Sequence, residues 1–453
     1  MEPESEQGRR DRGETMEEEQ QDDLVQLLPD DALADVLRRL APRDLAASRC
    51  VRRAWLAIID DRKLLLPDLL PHAVGGIFID FNSLESWEFF ARPTTGPSIS
   101  GELDFLPQYN PHYGPYVQDH CNGLLLCDHY VVNPATQRYA PVPPRPASCD
   151  ESKMSYFDYD EYLVFDPYVS PHYEVFRIPR IMYKYEPGNS LYSHPHDELD
   201  PIVEESEWPP SPWVLDVFSS KTGEWEQRLF SRKGEAAGTV SDMRKALLGQ
   251  QLHGTYWNGA LYVQHESDFA TKISLSNNKY QVIKPPVGIR KDIFSLGYLG
   301  KSKTGVYCAC TSDRQLHVWI LKELCGQMEW VMMHQTNLES ILACRKPNDG
   351  QINRPWILRD INYRRYRRHD EDDSEDEDAV VQEKCEWNSD DDNVLLQAER
   401  NVDGYHGYID IDVLGFHPYK EVVYLNYAHI AGHCQLIYES FPFTPCWMEE
   451  CPP

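Results

Sequence analysis

The feature that most restricts how this chain can fold is a long succession of short apolar runs, separated by turn residues, from about residue 74 almost to the C-terminus. GGIFIDF (75–81), GLLLCDHYVV (123–132), YLVFDP (162–167), YEVFRIP (173–179), WVLDVFSS (213–220), GALYVQ (259–264), GVYCACT (305–311), LHVWIL (316–321) and VVYLNY (422–427) are strand-like, and Gly, Pro, Asn and Asp clusters lie between them. Many short strands with few helix-length periods predict an all-β sandwich, barrel or propeller. Three segments help to choose. VVNPATQRYAPVP (131–143), VFSSKTGEWEQRLF (217–230) and ILKELCGQMEWVMMH (320–334) each pass from an apolar strand through a tight turn to Tyr139, Trp225 or Trp330, an aromatic placed to pack between sheets. One hairpin design used repeatedly marks radial repetition. At roughly 50 residues per blade, the β region would supply about six to eight blades. The strands near 415–446 are expected to complete a blade begun around 75–90, because a closed ring leaves no unpaired edge.

Upstream the texture is helical. In LLPDDALADVLRRLAPRDLAASRCVRRAWLAII (27–59), Leu33, Val36, Leu37 and Leu40 fall at i, i+3, i+4 and i+7, one face of an amphipathic helix. Pro29 presets φ for a first turn, and Asp30 and Asp31 put negative charge at the helix N-terminus. Ala41-Pro42 ends this helix, and Asp44 stands where the next would be capped. A second periodic run takes in Leu45, Val51, Ala54, Trp55, Ile58 and Ile59. Two or three short helices enclose a very small core, so this unit is expected to complete its burial on a partner or on the rest of the chain.

The charge is uneven. The 453 residues carry 44 basic and 73 acidic side chains, a formal net charge of −29, which argues against a default nucleic-acid binder. Residues 1–23 hold ten acids and three arginines, and residues 370–392 hold thirteen acids and one lysine, so these two stretches contribute −19 of the −29. The remainder is only mildly acidic. The reading is therefore an α+β multidomain chain: a disordered acidic tail (1–23), a small all-α domain (24–70), and a predominantly β, propeller-like domain (74–450) interrupted by a charged disordered insertion at about 364–393. The N-terminus has no apolar signal-peptide core, no run approaches a membrane span, and the twelve cysteines show no C-x-x-C or secretory spacing. Free thiols in the cytoplasm or nucleus follow as the expectation.

At residues 27–64 the sequence closely resembles the F-box motif: a Leu-Pro opening, a leucine-rich first helix, Pro-x-Asp-Leu entering the second and Val-x-x-x-Trp in the third. The remainder is similar to the F-box-associated, kelch-like propeller of plant F-box proteins, through CNGLLLC (121–127), NPATQRY (133–139), FSSKTGEW, GTYWNGALY (254–262) and GFHPYKEVVYL (415–425). The resemblance implies a substrate receptor of a Skp–cullin–F-box type ubiquitin ligase, with the F-box docked on a Skp-type adaptor that joins a cullin–RING core, and the propeller holding an unidentified protein target. It implies no catalytic residue, cofactor or metal, and neither nucleic acid nor membrane as partner. The adaptor-binding set by motif position is Leu28, Pro29, Leu33, Val36, Leu37, Leu40, Leu45, Val51 and Trp55. Leu33, Val36, Leu37 and Val51 could equally fill the helical core, whereas Leu28 and Pro29 precede the first full turn and favour the interface. Ala41 departs from the Leu-Pro-Pro style of turn common in the family.

Other chemistry competes weakly. HIAGHC (429–434) has metal-ligand spacing but a strand-like context with a glycine, and HPHDELD (194–200) sits in a Pro-rich loop. Cys308 and Cys310 alternate along a strand as buried thiols would. Cys121 with His120 and Asp119 is nominally a nucleophile and base, but neighbouring strand residues face opposite ways and CNG reads as a turn. A propeller hydrolase of glycosidase type with a helical appendage is the alternative function, since such an enzyme needs only two carboxylates held about 5–10 Å apart. An adaptor-binding scaffold acting without cullin is a third. RRYRR (364–368) reads as neutralised by the acidic run beside it, and Ser374, followed by three acids, is a candidate phosphosite.

Overall fold

The short runs form strands because their β-branched and aromatic residues alternate between two buried faces, and most of their inner positions are sealed from water. The structure, a computed structural model, describes residues 29–40, 44–45, 48–49, 51–62, 64–65, 70, 74–81, 87–91, 99–107, 115–146, 157–181, 199–244, 254–265, 269–286, 297–312, 314–324, 326–338, 357–358, 409–429 and 437–447. The acidic stretches 1–23 and 370–392, Leu28, Ser374, RRYRR, His433 and Cys434 lie outside them. Contacts divide the chain into a helical unit, residues 1–70 with 447–449, and a sheet unit, residues 71–446 with 450–453.

In the helical unit, α1 (Asp30–Leu37) and α2 (Arg53–Asp61) pack around Leu33, Ala34, Leu37, Leu45, Ile58, Ile59, Leu64 and Leu65. Pro29 is the N-cap of α1 rather than its first helical residue, and its carbonyl accepts from the Leu33 N–H at 3.0 Å. Asp44 is itself helical, so it is not the cap expected of it; its carbonyl accepts from the Ser48 hydroxyl at 2.7 Å. The second periodic run breaks where Arg52 turns extended, at φ −150° and ψ 144°.

The sheet unit is β-propeller-like. Among the described residues its strands group into six sheets, each running antiparallel from an inner to an outer strand. Sheet I is Val117–Cys121, Leu124–Cys127, Tyr130–Asn133 and Arg138–Pro141. Sheet II is Phe157–Val164, Glu174–Ile181, Trp213–Ser219 and Glu224–Lys233, and sheet III is Gly254–Trp257, Ala260–His265, Phe269–Ser274 and Lys279–Ile283. Sheet IV is Tyr298–Ser302, Gly305–Ser312, Gln315–Leu324 and Gln327–Asn337, and sheet V shows Ile409–Phe416 and Val423–His429. Sheet VI takes Ile437–Phe443 as its inner strand, then Gly76–Phe81, Glu88–Ala91 and Ile357–Leu358. The short helices α3 (Pro201–Glu204) and α4 (Val240–Met243) flank a two-stranded ribbon, Glu207–Trp208 with Gly238–Thr239.

Each sheet packs on the next around the ring. Apolar clusters join II to III through Ile181, Trp208 and Phe269, III to IV through Tyr262 and Leu299, IV to V through Tyr307 and Phe416, V to VI through Leu414 and Ile77, and VI to I through Phe78, Phe441 and Val117. Asp119 of sheet I accepts a hydrogen bond from the Leu163 N–H of sheet II at 2.7 Å. Sheets II and III also fuse at their outer edges, where Ser231–Lys233 pairs in parallel with Lys279–Gln281.

The expected ring closure is present. Ile437–Phe443 pairs antiparallel with Gly76–Phe81, placing Phe441 opposite Phe78 with ring centroids 5.3 Å apart. Two latches extend it: the Gly75 N–H donates to the Phe443 carbonyl at 2.8 Å, and buried Asn133 donates through Nδ2 to the Cys446 carbonyl at 2.9 Å. The three repeated hairpins are the outer hairpins of sheets I, II and IV, but their aromatics differ in role. Trp330 packs on the cluster shared with sheet III. Tyr139 is exposed and meets Tyr130 of its own sheet edge-on. GLLLCDHYVV is two strands, split by a turn with Asp128 at φ 44°.

Truncating the closing aromatic tests this arrangement. Phe441→Ala should cost about 3–5 kcal/mol of sheet-unit stability in chemical denaturation, whereas the exposed neighbour Tyr438→Ala should change it by under about 0.5 kcal/mol.

Candidate functional site

Two places combine geometry with chemistry: the surface of the helical unit, and the channel where the inner strands meet.

On α1 the core stripe is Leu33, Ala34 and Leu37, and Val36 stands beside that stripe, 53% exposed. The helix ends before Leu40 can rotate inward, leaving it 37% exposed. Val51 lies in the break before α2 and is 59% exposed. The structure thus separates the nine motif positions. Leu33, Leu37 and Leu45 are buried in the helical core, for Leu33 and Leu37 one of the two placements the sequence leaves open. Val36, Leu40, Val51 and Pro29 are exposed. Trp55 is half-buried against the core, beside a residue that sequence reasoning did not associate with it, Trp447. Leu56 was also missed; it is exposed on α2, one turn before the buried Ile59. Its signal was present in the sequence, as an apolar residue off the core stripe. Arg49 grips Asp60 through two hydrogen bonds of 3.0 and 2.9 Å, and Arg62 reaches Asp31 at 2.5 Å. Such exposed pairs add little stability each, but they fix how the segments meet.

In the sheet unit, a narrow cavity of about 50 Å³ is lined by His120, Asn122, Tyr256, Tyr298, Lys301 and Tyr419, among others. It has room for a few waters, far short of the several hundred Å³ that a sugar or drug-sized ligand occupies. Its polarity is built in by turn chemistry. Asn122 and Gly123 both take positive φ, 46° and 85°, so the CNG triplet is the tight hairpin turn joining the first two strands of sheet I. A Cβ on Gly123 would lie 2.5 Å from the Thr444 carbonyl oxygen, so only glycine fits beside the closing strand. Asn122 donates through Nδ2 to the Phe165 carbonyl at 2.7 Å and accepts from the Lys301 ammonium at 2.5 Å.

The nominal Cys–His–Asp set does not assemble as a nucleophile and base. Burial pushes the Cys121 thiol up to about 11, and its proton goes to the Phe165 carbonyl, 3.2 Å away. His120 stacks on Phe441 with centroids 4.0 Å apart. Cys308 and Cys310 are buried in sheet IV, as their alternation predicts, and burial raises both thiols. Among the described residues four carboxyl groups are displaced upward, in each case first by burial: Asp80 to about 6, Asp119 to about 8, Glu161 above its ordinary range, and Glu439 well above it, with Asp119 and Asp80 adding repulsion on Glu439. Asp80 and Glu439 stand directly opposite across the closing strand pair. Among the described residues no group of three His, Cys, Asp or Glu side chains could hold a metal ion.

The chain is similar to an F-box protein of Arabidopsis thaliana, 26% identical over 153 residues, and to a second Arabidopsis protein named for an F-box, 29% identical over 162 residues. The matches cover 30% and 32% of this chain and span only about a third of each relative's length, 36% and 35%. No family model matches. Two solved structures resemble it faintly: Hsv2 of Kluyvelomyces marxianus (10% identity, TM-score 0.24, 57% of this chain and 72% of that one) and the GH43 BlXynB protein of Bacillus licheniformis (9%, TM-score 0.24, 58% and 42%). Likenesses this weak carry no argument about fold or chemistry.

The channel acid makes stability depend on pH with a definite sign. Asp119 has its carboxyl raised from 3.8 to about 8, so the folded state binds the extra proton between these values and stability falls as pH rises through that window. Asp119→Asn keeps an acceptor for the Leu163 N–H and removes the charge. It should be more stable than the parent at pH 8 and show a flatter stability profile between pH 4 and 8 in denaturant titrations.

Proposed function

We propose that this chain is the substrate-recognition subunit of a Skp–cullin–F-box type ubiquitin ligase, with its N-terminal helices acting as an F-box and its sheet unit as the substrate-binding propeller. One observation carries the reading: the segment that resembles an F-box leaves Val36 and Val51 more than half exposed in a unit whose described core cluster holds eight buried residues. A unit that small needs its apolar side chains inside; leaving these outside is accounted for by a partner that covers them. The similarity to Arabidopsis F-box proteins supports the same assignment.

In this reading the chain is not an enzyme. It raises the local concentration of a target near the ligase and fixes its orientation. The small volume of the cavity favours a binding role over the glycosidase-like alternative. The adaptor face comprises Pro29, Val36, Leu40, Val51 and Leu56, with Leu28 joining by motif position, while Leu33, Leu37 and Leu45 support it from beneath. Ser374 stays a candidate phosphosite.

The test separates surface from core. Val36→Asp combined with Leu40→Asp should weaken capture of a Skp-type adaptor about thirtyfold or more while leaving the helical circular dichroism signal intact, since both side chains are exposed. Leu37→Ala should lose binding together with the helical signal. Full adaptor binding by the folded double variant would remove the interface.

A further inference from the structure

The helical unit is not made by the N-terminal segment alone. Trp447, separated from α2 in sequence by the entire sheet unit, belongs to the helical unit and packs, half-buried, against the cluster of Leu33, Leu37, Leu45, Ile58 and their neighbours. Tryptophan carries more apolar surface than any other side chain, and here it is added to a described core cluster of eight residues, one of them an alanine. Helical units of this size are marginal without an additional contribution to burial.

We infer that Trp447 is a completion device: the N-terminal helices reach their folded state only when the C-terminal residue that finishes their core is in place, so that a chain presents adaptor-ready helices only after its last strand has formed. Because synthesis runs from N- to C-terminus, the residues that make the adaptor face emerge first and acquire the last piece of their core at the end. A chain shortened before Trp447 would keep every residue of the adaptor face and yet hold it on an unfolded scaffold. The consequence for the ligase rests on the proposed adaptor role; the folding dependence does not.

Amide hydrogen exchange on the full chain reads the two apart. In Trp447→Ala, amides of α1 and α2 such as those of Leu33, Arg38 and Arg62, all hydrogen-bonded in the parent, should exchange at least ten times faster, with the strand amides of sheets I to IV unchanged. A stop after Cys446 should do the same, and Trp447→Phe should restore much of the protection. Unchanged helix protection in Trp447→Ala would overturn the inference, and so would equal acceleration in the sheets, which would make Trp447 a support of the ring. If the exchange result holds but neither the parent nor Trp447→Phe captures a Skp-type adaptor, the completion device stands and the adaptor reading falls.

Discussion

The antiparallel pairing of Gly76–Phe81 with Ile437–Phe443 is the constraint on which the sheet unit depends. It joins the first and last strands of the unit, so it closes a loop that contains almost every other contact. Loop-closure entropy grows only logarithmically with length, and a short ladder of hydrogen bonds with a dense aromatic cluster can offset it. Phe78 lies within 5.3 Å, centroid to centroid, of Phe89, Phe441 and Phe443. These contacts lie at the seam, where an open ring would expose two edges at once. The latches from Gly75 and Asn133 sit beside the same seam, and the left-handed turn at Gly123 leaves room for the returning chain.

Closure also explains the unusual carboxyl groups. Inner strands converge, and side chains that face the axis lose water whatever their type. Asp119 and Glu439 lie on inner strands and Asp80 directly opposite Glu439 on the next strand, so register buries all three. Their first cause is desolvation, and repulsion among them acts in the same direction on Glu439. Backbone N–H donors from Leu163 and His120 and the charge of Lys301 act the other way on Asp119 without cancelling it. The proton on Asp119 is therefore part of the fold at neutral pH.

How far the sequence discloses all this differs between the two units, for physical reasons. Strand existence was legible for the runs buried on both faces, which read as short apolar stretches between turn residues, and the outer hairpins of sheets I, II and IV repeat one visible design. By contrast, Glu88–Ala91, Val117–Cys121, Phe269–Ser274, Lys279–Ile283 and Tyr298–Ser302 stood out in no such run. Pairing of the closing strand was legible from the need to hide edges. The splitting of 123–132 was not, since Asp128 and His129 make a turn without glycine or proline. The different fates of Tyr139 and Trp330 were not either, because they depend on which sheet lies alongside.

The helical unit was harder to read because its alternatives differ by less than one turn. Val36 and Leu37 are adjacent, equally apolar and both consistent with an i, i+3, i+4, i+7 stripe, yet one is exposed and the other sealed. The stripe is narrower than the pattern suggests, because α1 stops at Leu37 and α2 starts only after an extended residue. A helix two turns long brings only part of its apolar face into the core. What remains outside is then set by geometry, not by hydrophobicity, and Val36, Leu40 and Val51 are the residues so displaced. Trp447 completes the same logic from the other end of the chain. The helical unit's core takes material from far along the chain, and no local pattern around residues 27–59 could announce a tryptophan at position 447.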